Sequence, residues 1–239
     1  MMIIGDKTAE VNELIRGIAH ELGQPVTNIR YTVQFHRKML EKAEITKEEV
    51  FKIFDSILEE TERMGRLIKR LSPITSGKSV IENFDLIDLI QKRVKAENIR
   101  LNELKIDVNI SPLTPIYVIG DPVKYDQIIS NLFLNAIDAI QERQDSQINR
   151  IDIQIEDKVN EIKMIFTDTG IGINLKDKNK IFSPFFTTKP PGKGEGLGLF
   201  IVWNLLKMYG GSIEIDNSYN DGARFVISIP KQTDDQKEA

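Results

Sequence analysis

The chain has 239 residues, 41% of them hydrophobic and 28% charged, with a formal net charge of −4. That is ordinary globular composition and sets intrinsic disorder aside. The absence of cysteine removes disulfides, cysteine nucleophiles and thiolate metal sites. No basic block marks a nucleic-acid surface and no apolar run reaches the roughly 18–20 residues of a membrane span. "MMIIGDKTAEV" lacks the apolar core of a secretory signal. The chain reads as compatible with the cytosol, without a nucleic-acid partner and without membrane contact of its own.

The first third reads as two long helices. From Thr8 to Lys42, apolar residues fall at Val11, Ile15, Ile18, Leu22, Val26, Ile29, Val33 and Leu40, on one helical face. Thr46 and Glu49 fit a capping box that opens the second helix. Val50, Ile53, Phe54, Ile57, Met64, Leu67, Ile68 and Leu71 continue it, and Ser72-Pro73 is expected to end it. A short connection makes the pair an antiparallel hairpin. Two helices bury too little apolar surface alone, so a four-helix bundle built by two copies of the chain, a homodimer, is the expected solution.

"SPITSGKS" (72–79) marks a boundary. Beyond it "ELKIDVNI", "PIYVIG", "RIDIQIED", "EIKMIFTD", "GSIEIDN" and "ARFVISIP" read as strands. Helical stretches lie between them near 86–98, 121–142 and 196–209. The pattern is α+β, with helices covering one face of a mixed sheet. The expected organisation is a helical hairpin over 1–75, an α/β sandwich over 76–231 and a disordered polar tail over 232–239.

Two features of "GIAHELGQPVTNIR" are odd. Pro25 sits inside a helix, where it removes a backbone donor and clashes with the carbonyl of Glu21, so a bend is expected one turn beyond His20. At about 100° per residue, His20 falls about 160° from Leu22 and points away from the apolar stripe. His36 falls near the stripe and reads as a packing residue. Gln24 lies one turn above His20 on the same face. Glu21 could accept a proton from one ring nitrogen and leave the other as a nucleophile, a role that suits an imidazole near neutral pH. A kinked helix with a solvated histidine is an equally good reading of this segment alone.

Three stretches point to a nucleotide. In "NLFLNAIDAI", Asn131 and Asn135 are one helical turn apart, and an asparagine carbonyl is a hard oxygen ligand suited to Mg²⁺. In "FTDTGIGI", a strand ends at Asp168, which can accept from an adenine amino group, while Gly170 and Gly172 allow close backbone approach. In "FSPFFTTKPPGKGEGLGLFIVWNLL", Gly192, Gly194, Gly196 and Gly198 lead into a helix whose free amides favour phosphate. Lys189 and Lys193 add positive charge, and Pro190-Pro191 with the glycines suggest a hinged lid. Neither a P-loop nor a dinucleotide fingerprint is present: Ser72 stands where the first needs glycine, and the glycines at 192–198 do not follow a strand.

Together these stretches resemble the catalytic core of a bacterial sensor histidine kinase. "HELGQP" resembles the H-box, "NLFLNAIDA" the N-box, "DTGIG" the G1 box, "FSPFFTTK" the F-box and "GEGLGL" the G2 box, in the family's order from Gly17 to about Gly211. "Q-P" and "PFFTTK" look most like the nitrogen- and dicarboxylate-sensor branch. The resemblance implies a dimerisation and phosphotransfer hairpin followed by an ATP-binding domain of the gyrase–chaperone–kinase type. It implies ATP and Mg²⁺ as cofactors, a response-regulator receiver domain as partner, and a cytoplasmic protein or the cytoplasmic part of a larger sensor. By resemblance His20 is the phospho-acceptor and Glu21 its proton acceptor. Asn135 resembles the Mg²⁺ ligand, with Asn131 beside the phosphates, and Asp168 the adenine-reading carboxylate, with Gly170 and Gly172 beneath the nucleotide. Thr187, Thr188 and Lys189 follow the F-box into the lid; Gly194, Gly196, Leu197, Gly198 and Leu199 resemble the phosphate-facing turn.

There are departures from the family pattern. Gln24 stands where many relatives carry Asn or Thr, which puts phosphatase activity in doubt. Asp138 stands where many have a basic or aromatic residue and receives no phosphate role. An ATP-driven clamp of the gyrase type and a non-catalytic phosphotransfer scaffold are the rival readings; acid-stable, histidine-independent turnover would mark the first and failure to bind nucleotide the second.

Overall fold

The computed structural model describes residues 4–42, 45–75, 79–143, 148–174, 176–190 and 194–231. Lys193 and the polar tail lie outside them. The chain divides into two compact units, Met1–Ser76 and Gly77–Ala239.

The first unit is a pair of helices, α1 (Ile4–Glu41) and α2 (Lys47–Thr75). The capping box is formed: the backbone N–H of Thr46 donates to Glu49 Oε2 at 2.8 Å, and the N–H of Glu49 donates to Thr46 Oγ1 at 3.3 Å. One expectation is corrected: α2 continues to Thr75, past Pro73, because a proline in a last turn forfeits only the end of the hydrogen-bond ladder. α1 is helical on both sides of Pro25, which is itself buried.

α1 turns Ile18, Leu22, Pro25, Ile29, Thr32, His36 and Met39 inward, at heptad-like steps, while Ile15, Val26, Val33 and Leu40 stay exposed. On α2, Val50, Ile53, Ile57, Met64 and Leu67 are covered, and Phe51, Phe54, Leu58 and Ile68 are exposed. The apolar stripe of each helix is thus wider than one partner covers. His36 is a packing residue: its Nδ1 lies 2.7 Å from the carbonyl of Thr32, and its ring meets Phe35 edge-on.

The second unit carries a five-stranded mixed sheet, order β2-β4-β5-β7-β6, from β2 (Asp107–Ser111), β4 (Arg150–Asp157), β5 (Glu161–Asp168), β6 (Ser212–Ile215) and β7 (Ala223–Pro230). Only β2 and β4 run parallel. A separate pair joins β1 (Glu82–Asp85), absent from the sequence expectation, to β3 (Tyr117–Gly120). The helices are α3 (Leu86–Ala96), α4 (Asn98–Glu103), α5 (Pro122–Glu142) and α6 (Gly198–Met208).

Alternation along the strands builds the core. Ile151, Ile153 and Ile155 of β4, Ile162, Met164 and Phe166 of β5, and Phe225, Ile227 and Ile229 of β7 are buried. α5 and α6 bring Ile128, Leu132, Phe133, Ala136, Ile137, Ile201, Val202 and Leu205, and Phe133 meets Phe166 edge-to-face with ring centres 5.4 Å apart. Asp121 caps α5 by accepting from Val123 N at 3.0 Å, with Pro122 in the first turn. This fixes the helix that carries both asparagines.

Candidate active site

His20 is exposed on α1. Gln24 places its amide nitrogen 3.0 Å from His20 Nε2. An amide nitrogen only donates, so in this arrangement Nε2 accepts and Nδ1 carries the ring proton. Glu21 does not meet the imidazole here. Its Oε2 accepts from Arg63 of α2 at 3.3 Å. The reason is helical geometry: residues four apart stack on one face, whereas consecutive residues diverge.

In the second unit, Asn131 is buried and its side-chain nitrogen donates to the carbonyl of Gln127 at 2.8 Å. Asn135, one turn on, is half-buried. Both amides face the start of α6: a Cβ added to Gly198 would stand 3.3 Å from Asn131 Oδ1 and 3.3 Å from Nδ2 and Oδ1 of Asn135. The residue preceding α6, Leu197, offers no side-chain cap, so the first amides of this eleven-residue helix are left without one close to the two asparagines, an arrangement that suits an anion. The Leu197 side chain itself is fully buried, so only its backbone faces the turn; Leu199 is half-buried.

Asp168 closes β5 with 3% of its surface exposed. Its Oδ1 accepts from Gly170 N at 2.8 Å and Ala223 N at 3.3 Å. Both bonds fall on one oxygen, which leaves Oδ2 for a ligand donor. Burial pushes the carboxyl up to about 6, against the opposing pull of those two amides and of the Arg143 charge.

Close backbone contacts set the loop around Asp168. A Cβ on Gly170 would lie 2.6 Å from the Cβ of Ala139; one on Gly172, at φ 73°, 2.9 Å from the carbonyl oxygen of Gly222. Gly222, at φ 144°, would put a Cβ 2.1 Å from the carbonyl oxygen of Asp168. Thr169 Oγ1 accepts from Arg150 N at 2.9 Å and lies 2.9 Å from the carbonyl of Ile148, while Arg143 donates to the Thr169 carbonyl. Gly222, Ala223, Thr169 and Arg143 were not singled out by sequence reasoning. The turn "NDGARF" between two strands was a visible signal for Gly222; Arg143 carried none. Replacing Gly222 by Ala is expected to cost more than ~1 kcal/mol, since both φ and space are wrong for a side chain; urea unfolding measures it.

The F-box segment packs on the glycine turn. Thr187 Oγ1 accepts from Lys189 N at 3.1 Å, and Thr188 is exposed. A Cβ on Gly194 would lie 2.8 Å from Thr187 Oγ1, and one on Gly196, at φ 65°, 2.3 Å from the carbonyl carbon of Phe185. α5 therefore joins two clusters: the amides of Asn131 and Asn135 against Gly198, and, at Ala139, the loop of Asp168, Gly170 and Gly172. His20 belongs to the other unit.

A buried carboxylate raised to about 6 gives a pH test. Adenine amino recognition needs the ionised form, so affinity for adenine nucleotides is expected to fall as pH drops through about 6. Calorimetric titration between pH 7.5 and 5 checks this; a flat profile would count against Asp168 as the acceptor.

A buried strand-end carboxylate, a backbone-lined loop and paired amides at an uncapped helix start suit a nucleotide in the second unit, and the first unit is a helical hairpin with an exposed histidine. Residues 120–233 match the family model for histidine kinase-, DNA gyrase B-, and HSP90-like ATPases, and residues 10–77 match the His Kinase A (phospho-acceptor) domain. The chain is 27% identical over 227 residues to the sensor histidine kinase ZraS of Escherichia coli, covering 94% of this chain and 46% of that protein. It is 28% identical over 241 residues to the C4-dicarboxylate transport sensor protein DctB of Rhizobium meliloti, covering 96% of this chain and 36% of that protein. The catalytic domain of histidine kinase ThkA matches 64% of this chain and 99% of its own length at 30% identity and a TM-score of 0.55. ThkA in complex with response regulator protein TrrA matches 95% of this chain and 64% of that chain at 27% identity and a TM-score of 0.67. The chain belongs to the sensor histidine kinase family. It spans less than half the length of these two curated relatives, and among the described residues no helix is long and apolar enough to cross a membrane.

Proposed function

We propose that this chain transfers the γ-phosphoryl group of ATP to His20 and then to an aspartate of a response-regulator receiver domain, in the cytoplasm. The observation that carries the reading is the approach of Gly198 to Asn131 and Asn135 on the same helix that packs, through Ala139, against the Asp168 loop. That geometry supports a reading in which phosphates and adenine lie at opposite ends of one site. ThkA, solved with its response regulator TrrA, supports the choice of partner.

The residues divide the work. Asp168 Oδ2 accepts from the adenine amino group, and Gly170 and Gly172 let the base approach the backbone. The first amides of α6 and the Asn131 side chain hold phosphate oxygens. Among the described residues no three His, Asp or Glu side chains cluster to hold a metal, so Mg²⁺ at the Asn135 carbonyl would draw its other ligands from phosphate and water and neutralise phosphate charge there. Nε2 of His20 attacks the γ-phosphorus as the bond to the ADP oxygen breaks. The proton on Nδ1 then leaves to Glu21, which must exchange Arg63 for the imidazole. A receiver carboxylate next attacks phosphorus, Glu21 returns its proton to Nδ1, the P–N bond breaks, and neutral imidazole is restored. Catalysis is mainly positioning and charge neutralisation. Chasing the labelled chain with a panel of receivers should move label from an acid-labile to an acyl-phosphate form; label that never leaves the chain would contradict the second step.

A homodimer supplies the missing cover for the hairpin. Val33 of α1 and Phe54 of α2 are 46% and 54% exposed and lie in the unpartnered stripes. Replacing both with Glu is expected to convert a dimer to a monomer in light scattering, because charges in a bundle seam are costly.

A further inference from the structure

We propose that Asp138 is a positioning residue: it holds the Lys189 ammonium on the face of α5 that carries Asn131 and Asn135, so that the F-box supplies a phosphate-facing cation this face lacks. The inference rests on the nucleotide reading above.

Positions 131, 135 and 138 fall at i, i+4 and i+7, on one side of the helix. The first two offer amides. The third offers a carboxylate, which repels phosphate if left bare. It is not bare: Lys189 Nζ stands 2.6 Å from Asp138 Oδ2, and Arg100 of α4 stands 3.0 Å from Oδ1. One negative and two positive groups leave a net positive cluster, partly shielded from solvent, where ionic attraction is screened less. α5 itself carries a single cation, Lys124, in its first turn and buried. Its asparagine face thus draws its positive charge from other elements.

Lys189 is held at both ends. Its N–H donates to Thr187 Oγ1 at 3.1 Å, and a Cβ on Gly194 would lie 3.1 Å from its Cβ and 3.0 Å from its Cδ. The side chain is fixed by its own turn, by the absence of a side chain at 194, and by Asp138 at the tip. A charge so held meets phosphate oxygens with little ordering cost.

The test is calorimetric titration of the full chain with ATP, ADP and adenosine, in wild type and in Asp138→Ala, Asp138→Asn, Lys189→Ala, the Asp138→Ala/Lys189→Ala double variant and Asp138→Lys/Lys189→Ala. Each single variant is expected to weaken ATP binding about tenfold, as for loss of one charge-assisted contact. ADP should lose less and adenosine nothing. The double Ala variant should bind ATP no worse than Lys189→Ala, because the carboxylate acts through the lysine. Asp138→Lys/Lys189→Ala, which puts a cation on the helix itself, should bind ATP more tightly than Lys189→Ala. Unchanged ATP affinity in Asp138→Asn, equal losses for adenosine and ATP, or additive losses in the double variant would each overturn the proposal while leaving the nucleotide site standing. Failure of the wild-type chain to bind ATP would overturn both.

Discussion

Replacing His20 by Gln is expected to reduce phosphoryl incorporation from γ-labelled ATP to background while ATP binding stays at the wild-type level. The substitution removes the ring nitrogen and little else. His20 is exposed, and its only bond among the described residues is to Gln24, so the change in fold stability should stay within about 0.5 kcal/mol. Nucleotide binding belongs to the other unit, whose residues the substitution does not touch. Labelling assays paired with calorimetry separate the two effects. Residual label at the wild-type rate would mean that another group accepts the phosphoryl, and the clamp-type ATPase reading would return.

Asp168→Asn should give the opposite pattern, with nucleotide binding weakened and the fold retained. Asparagine keeps an oxygen to accept from Gly170 and Ala223, but its other terminal atom donates where the carboxylate accepts. A ligand amino group would then face a donor, and the expected loss in ATP affinity is about 10- to 100-fold, from a bond to a charged group and its unmet partner. The stability effect has a definite sign. The folded carboxyl is raised from 3.8 to about 6 by burial, so ionising it costs the fold roughly 3 kcal/mol at neutral pH. That cost is full above pH 6 and fades as pH falls towards 3.8. Asn never pays it, so the variant should melt no lower than wild type at pH 7.5 and lose that advantage below pH 4. Thermal melts at both pH values check this.

Much of this was legible in the chain because local signals carried it. The capping box at Thr46 and Glu49 and the alternating strands are short-range patterns, and each appears where its pattern lies. β1 and α4 were missed because four- and six-residue elements leave too little periodicity to read. The apolar stripe of α1 was legible, but which of its positions face α2 was not. A stripe broad enough for two partners does not say which partner covers which side.

The candidate site shows the same division. His20, Asn131, Asn135, Asp168 and the glycines stand out by type and spacing. The ties between them are long-range and left no local mark: Asp138 to Lys189 spans 51 positions and Glu21 to Arg63 spans 42. Sequence reasoning assigned Asp138 no phosphate role because it stands where many members of the resembled family carry a basic or aromatic residue. Its two cations arrive from α4 and the F-box, and only the folded unit shows them together. Glu21 was paired with its neighbour in sequence, whereas the helix pairs it across the hairpin.

The most direct measurement is to label the wild-type chain with γ-phosphate-labelled ATP, digest it under alkaline conditions and identify the modified peptide by mass spectrometry. The account predicts one acid-labile phosphoryl group on the imidazole of His20, reduced at sub-saturating ATP when Asp168 is Asn. An acid-stable modification, or label on any other residue with His20 unmodified, would contradict it.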